Sequence, residues 1–240
     1  MATLYIVGTP LGNLEDVSLR ALRVFKEVEA IICEDTRVTG KLLARYDIEK
    51  KLISYPSDFE KESGVIHRKI GQIMEILRGN KDLAMVSDAG TPGVSDPGAK
   101  LVERVRKELP DVRIECIPGP SAITAALSIC GIYTTSFNFW GFPPNKKGRT
   151  KFFGQIAGQE MTSIFFESPH RIIKALISFS QSPASQRKIT VCKELTKIHE
   201  EVISGTADEL LSYFDNHPEK VAGEFVVIVG QNEQKGPASK

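Results

Sequence analysis

Short apolar runs recur along this chain with longer amphipathic stretches between them, and that alternation limits its possible folds more than any single motif. The runs are TLYIV (3–7), AIIC (30–33), LAMV (83–86), RIECI (113–117), SIFF (163–166), KITVC (188–192) and FVVIV (225–229). Apolar residues follow one another there with little polar alternation, as in a strand covered on both faces. Between the runs, Leu19, Leu22, Phe25 and Val28 recur at helical spacing, as do Ile66, Ile70, Ile73 and Leu77. SPHRIIKALISF offers Ser168 as a helix N-cap with Pro169 at the first helical position, and TADELLSYF offers Thr206 as a cap. Strands alternating with helices predict an α/β protein with a largely parallel sheet.

The second half reads as richer in β. SFNFWGFPP (136–144) looks like a strand ending in a turn, and KITVCKEL and HEEVISG like neighbouring strands. A boundary near IPGPS (117–121) predicts two domains: an N-terminal α/β domain, 1–117, and a C-terminal mixed-sheet α/β domain, 118–230. The polar tail, 231–240, is expected to be disordered.

Charge excludes one class of explanation. Lys and Arg number 31 against 30 Asp and Glu, a net charge of +1, so no global field draws this chain to nucleic acid or membrane. Any such site must come from a local patch. Cys33, Cys116, Cys130 and Cys192 are far apart and form no C-x-x-C pair, which predicts buried free thiols in a reducing cytosol. MATLYIVGTPLG has no leader pattern, and SAITAALSICGIY is too short to span a bilayer. A cytoplasmic protein without a membrane partner is expected.

Three loops poor in side chain follow apolar runs. VGTPLGNLED (7–16) is neither G-x-G-x-x-G nor a P-loop. SDAGTPGVSDPG (87–98) puts Asp88 just after a strand, where it could accept from ribose hydroxyls or an amine. IPGPSA (117–122) leads into a run whose small residues permit either close helix packing or a flat ligand at the helix start. Glycine admits close backbone approach and proline fixes φ, so these loops are shaped for a ligand at strand ends.

GTPLGNLED, CEDTRVTGKLL, VSDAGTPGVSDPG, IPGPSA, ESPHR, KELTKIHEE and GEFVVIVG, in that order, resemble the tetrapyrrole-methylase-like group of S-adenosylmethionine enzymes. Within that group they resemble the bacterial 16S ribosomal RNA cytidine 2′-O-ribose methyltransferases. The resemblance implies a two-domain α/β methylase, a homodimer, with S-adenosylmethionine in the cleft between domains. It implies 16S ribosomal RNA or the small ribosomal subunit as partner. Carried over by residue, it implies cofactor contacts at Pro10, Leu11, Asp88, Ala89, Gly90, Val94, Ser121, Ala122, Phe166, Glu167 and Leu195. The chain departs from the family's pattern at Tyr55, Pro56 and Ser57, where the family often has a His-Asn pair, so no substrate role carries over there. It also stops soon after Gly230, without the basic extension many members carry, so some RNA-binding surface is expected to be missing or supplied elsewhere.

Methyl transfer from a sulfonium to an alcohol needs alignment and a proton acceptor, and no metal. The candidate acceptors are Glu34, Asp35 and Glu194, with Lys193 if desolvated. In EDTR (34–37), Arg37 reads as a phosphate clamp, or else Asp35 or Thr36 reads as a helix cap with a surface ion pair. In SPHR, His170 and Arg171 read either as RNA contacts or as exposed residues after a helix start. PPNKKGRTK (143–151) carries Lys146, Lys147, Arg149 and Lys151 and no acid, so it is either a solvated loop or the missing cationic patch. Two other functions stay open: a methylase of a tetrapyrrole-like small molecule, and a non-catalytic ribosome-binding module.

Overall fold

The computed structural model describes residues 1–55 and 64–232, with residues 64–67 as helix backbone only. Pro56, Ser57, the side chain of Ile66 and the tail from 233 onward lie outside the described residues. Contacts divide the chain into two compact units, Met1–Ser121 and the part from Ala122 onward.

The first unit holds β1 (Thr3–Val7), α1 (Leu19–Glu27), β2 (Ala30–Cys33), α2 (Thr36–Arg45), β3 (Lys51–Ser54), α3 (Gly64–Arg78), β4 (Leu83–Met85), α4 (Gly98–Glu108) and β5 (Arg113–Ile117). Its strands lie in the order β3-β2-β4-β1-β5 and all pair in parallel. Helices cover both faces, which is why the strands read as continuous apolar runs. Ile32, Leu4, Leu83 and Met85 pack against Ile70, Ile73, Met74 and Leu77 of α3 and Leu101 and Val105 of α4. Ile31, Val7, Ala84 and Ile117 pack on the other face against Ala21, Val24 and Phe25 of α1 and Leu42 and Leu43 of α2.

The expected stripe on α1 needs correcting. Leu19 is 86% exposed, and the buried face is Ala21, Val24 and Phe25, followed by Val28. Ser18 Oγ accepts from Ala21 N at 3.0 Å and caps the helix, while Ala21, Val24 and Phe25, with Leu22 partly buried beside them, face the sheet and leave Leu19 outside. Cys33, Cys130 and Cys192 are buried, but Cys116 is exposed because β5 is an edge strand.

The second unit holds α5 (Ala122–Ile129), β6 (Phe137–Phe139), α6 (Arg149–Ala157), β7 (Thr162–Glu167), α7 (Ile172–Ser180), β8 (Ile189–Lys193), β9 (Glu201–Gly205), α8 (Ala207–Asn216) and β10 (Phe225–Val229). The order β6-β7-β10-β8-β9 is mixed: β6 runs parallel to β7, and the other pairs are antiparallel. On one face α6, α7 and α8 bury Phe153, Phe165 and Phe179, whose rings meet mostly edge to face, and Phe214, which meets Phe225 edge to face. Thr206 caps α8 in a full capping box with Glu209, as its motif predicts. The Ser168–Pro169 start does not hold for α7, which begins at Ile172. Ser168 O instead accepts from Arg171 N and Ile172 N, closing a separate turn over 168–171.

Candidate active site

Parallel pairing puts the carboxyl ends of β1, β2, β4 and β5 on one edge of the first sheet, and the three shaped loops leave from there. They are tied by main chain. Thr9 N donates to Gly90 O at 2.9 Å and Gly90 N to Thr9 O at 3.1 Å, while Gly8 N donates to Ile117 O at 3.0 Å. Thr9 Oγ1 donates to Ser87 O, and Thr91 Oγ1 to Pro120 O. A Cβ on Gly8 would lie 2.8 Å from Gly119 backbone atoms, so the first and third loops touch where neither carries a side chain. Gly90 has φ +79°, and a Cβ there would lie 3.2 Å from Leu11 Cδ2. Asp96 shapes the rest of the second loop, accepting from Gly93 N and Gly98 N at 2.6 Å each.

Pro10 and Gly90 are buried, Leu11 and Ser121 half-buried, and Asp88, Ala89 and Val94 exposed. Asp88 Oδ1 accepts from Asp35 N at 3.0 Å, which links the second loop to the end of β2. A crevice there is lined by Glu34, Tyr55, Asp96 and Gly98 together with apolar Ile32, Met85 and Val86. Burial, and then the charges of Asp88 and Asp96, push the Glu34 carboxyl above its ordinary value. Asp35 goes the other way. It caps α2 by accepting from Arg37 N at 2.8 Å and also takes Arg37 Nη2 at 2.6 Å. Hydrogen bonds from the Arg37 side chain and then its backbone hold this carboxyl down to about 2. EDTR therefore contains the helix cap and surface ion pair, with Arg37 still 86% exposed.

In the second unit, antiparallel register sets Glu167 and Lys193 on either side of Phe225, with Glu201 beyond Lys193. Glu167 is fully buried at the end of β7. Its Oε2 accepts from Arg149 Nη2 at 2.5 Å, and its Oε1 from Arg171 Nε at 3.2 Å and Ser168 N at 2.9 Å. Arg149 is thereby removed from the exposed cationic loop expected of it, because a buried carboxylate binds its guanidinium more strongly than solvent does. Arg171 is likewise engaged, also donating to Asn145 Oδ1. Glu167 itself is spent on arginines. Lys146, Lys147 and Lys151 remain exposed, as does His170.

Lys193 is buried at the end of β8, and Leu195 follows it in the interior. Glu194 takes φ +51° and accepts from Lys197 Nζ and Glu224 N, both at 2.9 Å. Burial pushes its carboxyl up, but these donors and the charges of Lys197 and Lys193 outweigh it and hold the group below the usual range. Phe166 meets the rings of Phe139 and Phe142 at 5.0 and 5.2 Å. Ala122 opens α5. No group of His, Cys, Asp and Glu among the described residues is arranged to hold a metal ion, and no described helix is long and apolar enough to cross a membrane. Sequence reasoning passed over Asp96, although it stands inside the quoted loop as an acid before Pro-Gly, a turn-capping signal.

The sequence pattern of the tetrapyrrole (corrin/porphyrin) methylases matches residues 3–211. A protein of Borrelia garinii subsp. bavariensis named ribosomal RNA small subunit methyltransferase I is 42% identical over 95% of this chain and 99% of its own length. The protein of that name from Thermotoga maritima is 37% identical over 97% of this chain and 100% of its own. Among solved structures, cobalt precorrin-4 methyltransferase CbiF superposes with a TM-score of 0.70 at 15% identity, covering 95% of this chain and 94% of that one. The methyltransferase CobJ does so at 0.68 and 19%, covering 99% and 98%. At those identities the likeness establishes the two-domain α/β fold.

Proposed function

The chain belongs to the tetrapyrrole methylase family, and from that premise we propose that it methylates ribosomal RNA of the small subunit, at the 2′-hydroxyl of a cytidine ribose. The observation that carries this reading is the match, along nearly the whole of both chains, to relatives named for small-subunit ribosomal RNA methylation. The methyl donor of this family is S-adenosylmethionine, which supplies an electrophilic methyl group on a sulfonium. The first unit fits it: the Gly8–Gly119 contact and the Gly90 turn hold the three loops main chain to main chain, and a Cβ at Gly8 or Gly119 would press into the other loop's backbone and force them apart. Pro10, Leu11, Asp88, Ala89, Gly90, Val94 and Ser121 hold the donor there.

The chain's own chemistry is alignment and proton removal. Among the candidate carboxylates only Glu34 is made more basic by its surroundings, while Asp35 and Glu194 are held low by cations and N–H donors. Glu34 is therefore the proposed acceptor of the ribose hydroxyl proton. Arg37, exposed beside it in sequence, is the proposed phosphate clamp, exchanging part of its Asp35 pairing for RNA. Exposed Lys146 and Lys147 supply the cationic patch that net charge does not.

Nucleoside analysis of small-subunit RNA after reaction with methyl-labelled S-adenosylmethionine tests this. Label on a cytidine ribose is expected; label on a base, or on a porphyrin precursor with none on ribose, overturns it. The chain is also proposed to be a homodimer, supported by the resemblance and by exposed Phe137 and Phe142. Light scattering giving the mass of one 26.5 kDa chain at micromolar concentration would refute that.

A further inference from the structure

Resting on the RNA reading above, we infer that Glu167 is a positioning residue: its buried carboxylate locks the loop over 143–148 and the turn over 168–171 into one rigid lip that presents Lys146 and Lys147 to RNA phosphates. Three observations carry this. First, among the described residues the side-chain hydrogen bonds between the two segments run through this acid and its arginines. Arg149, at the loop's end, donates to Glu167 Oε2 at 2.5 Å and to Arg171 O at 3.3 Å. Arg171, at the turn's end, donates to Glu167 Oε1 at 3.2 Å and returns to the loop at Asn145 Oδ1. Second, the loop folds back on the start of α6. Pro144 O accepts from Arg149 Nη1, Lys146 O from Arg149 N and Gly148 O from Phe152 N. Third, the lysines it carries are exposed and form no ion pair among the described residues.

The charge arithmetic points outward too. One carboxylate faces two guanidiniums, so the cluster keeps a surplus positive charge beside Lys146 and Lys147. If the triad served only to hold two segments together, apolar side chains of similar volume would do so at least as well. A carboxylate adds direction: it fixes two planar forks, and through them the path of the loop. A loop fixed before binding loses less conformational freedom when RNA arrives.

The test is steady-state methylation of unmodified small ribosomal subunits with labelled S-adenosylmethionine, run as a double-mutant cycle. If the lip is in its binding arrangement only a tenth of the time in Glu167→Gln, the KM for RNA rises about tenfold. S-adenosylmethionine affinity by calorimetry and kcat at saturating RNA should stay within about twofold. In a Lys146→Gln/Lys147→Gln background the same substitution should add less than about twofold, because the groups it positions are gone. Asn145→Ala, at an exposed site, repeats the logic if Glu167→Gln does not fold: a smaller rise in KM that disappears in the lysine-free background. Full additivity of Glu167→Gln or Asn145→Ala with the lysine changes, or weakened cofactor binding in either, overturns the inference while leaving the RNA reading intact. Wild-type KM and salt dependence in Lys146→Gln/Lys147→Gln removes the loop's RNA role, and the inference with it.

Discussion

Arg187 should be worth more to stability than any residue of the motifs. It is 7% exposed, and every partner recorded for its guanidinium is a backbone carbonyl. Nε donates to Gly230 O at 2.7 Å, Nη1 to Gln159 O at 3.0 Å and, longer, to Ile156 O and Ala157 O. Nη2 reaches Met161 O at 3.3 Å and Gly230 O. One side chain thus closes the carboxyl end of α6, the approach to β7 and the exit from β10. Two effects oppose each other in Arg187→Met. Burying a cation costs several kcal/mol, and methionine escapes that cost. The carbonyls, however, stay where they are and lose their donor, at about 1–3 kcal/mol for each that water cannot reach. The three short bonds end on two carbonyls, Gly230 O and Gln159 O, so the second effect comes to about 2–6 kcal/mol; it exceeds the relief for a cation whose bonds already repay much of its burial, and we expect a net loss of about 2–4 kcal/mol. Arg187→Lys, which keeps the charge but not the fork, should lose about 1–3 kcal/mol. Trp140, the chain's single tryptophan, lies in the second unit, so its fluorescence in urea reports that unit's unfolding. A fall in its Tm of about 10–20 °C should accompany the loss in Arg187→Met. A methionine variant within about 1 kcal/mol of wild type would refute the reasoning, since it would mean that the carbonyls need no donor.

The other predictions concern the first unit. Glu34 has its folded-state pKa raised above 4.5, so the stability tied to its protonation is complete below that value and is lost as pH rises through the folded one. At pH 7 Glu34→Gln should therefore be at least as stable as wild type in urea, yet about 10²–10⁴-fold slower in turnover; a destabilised or fully active variant contradicts this. Asp35 is the opposite case: held at about 2, it favours the folded state above 3.8, and that contribution fades as pH falls through 2. Arg37→Gln should raise the value part of the way toward 3.8, the backbone N–H bond remaining, as read by carboxyl NMR titration, and a titration still centred near 2 would show that the Arg37 side chain is not its chief cause. Gly8→Ala forces a methyl to 2.8 Å from Gly119 backbone, so it should cost about 1–3 kcal/mol and weaken cofactor binding measured by calorimetry. Asp88→Ala frees the Asp35 N–H and should weaken S-adenosylmethionine by about 1–3 kcal/mol. Unchanged affinity in that folded variant would remove Asp88 from the site.

What could be read from the sequence was what local chemistry dictates. Strands covered on both faces leave nearly unbroken apolar runs, so TLYIV, AIIC and FVVIV coincide with β1, β2 and β10, while RIECI, with Arg113 and Glu115, falls on the edge strand β5. Glycine and proline mark a tight approach wherever it occurs, so the three loops of the first unit stood out. A helix's buried face was less legible: Leu19 fits the spacing but stands outside, because the face packed on the sheet is that of Ala21, Val24 and Phe25. Interactions between distant segments left no pattern at all. Glu167 reads as a strand end and Arg149 as a loop cation, and nothing within either segment records that they meet 18 residues apart. Arg187 belongs to no motif, since its partners are carbonyls, which every residue possesses. The same limit decides the chemistry. Glu34, Asp35 and Glu194 are equivalent carboxylates in the sequence. Asp35 has its partner Arg37 two residues on and Glu194 has Lys197 three residues on, so their low values are partly local; Glu34 is set apart by burial and by Asp88 and Asp96, which only the fold brings beside it. The raised basicity of Glu34 is thus a property of tertiary neighbours, and the proposal that it takes the proton rests on burial and like charge that no local reading supplies.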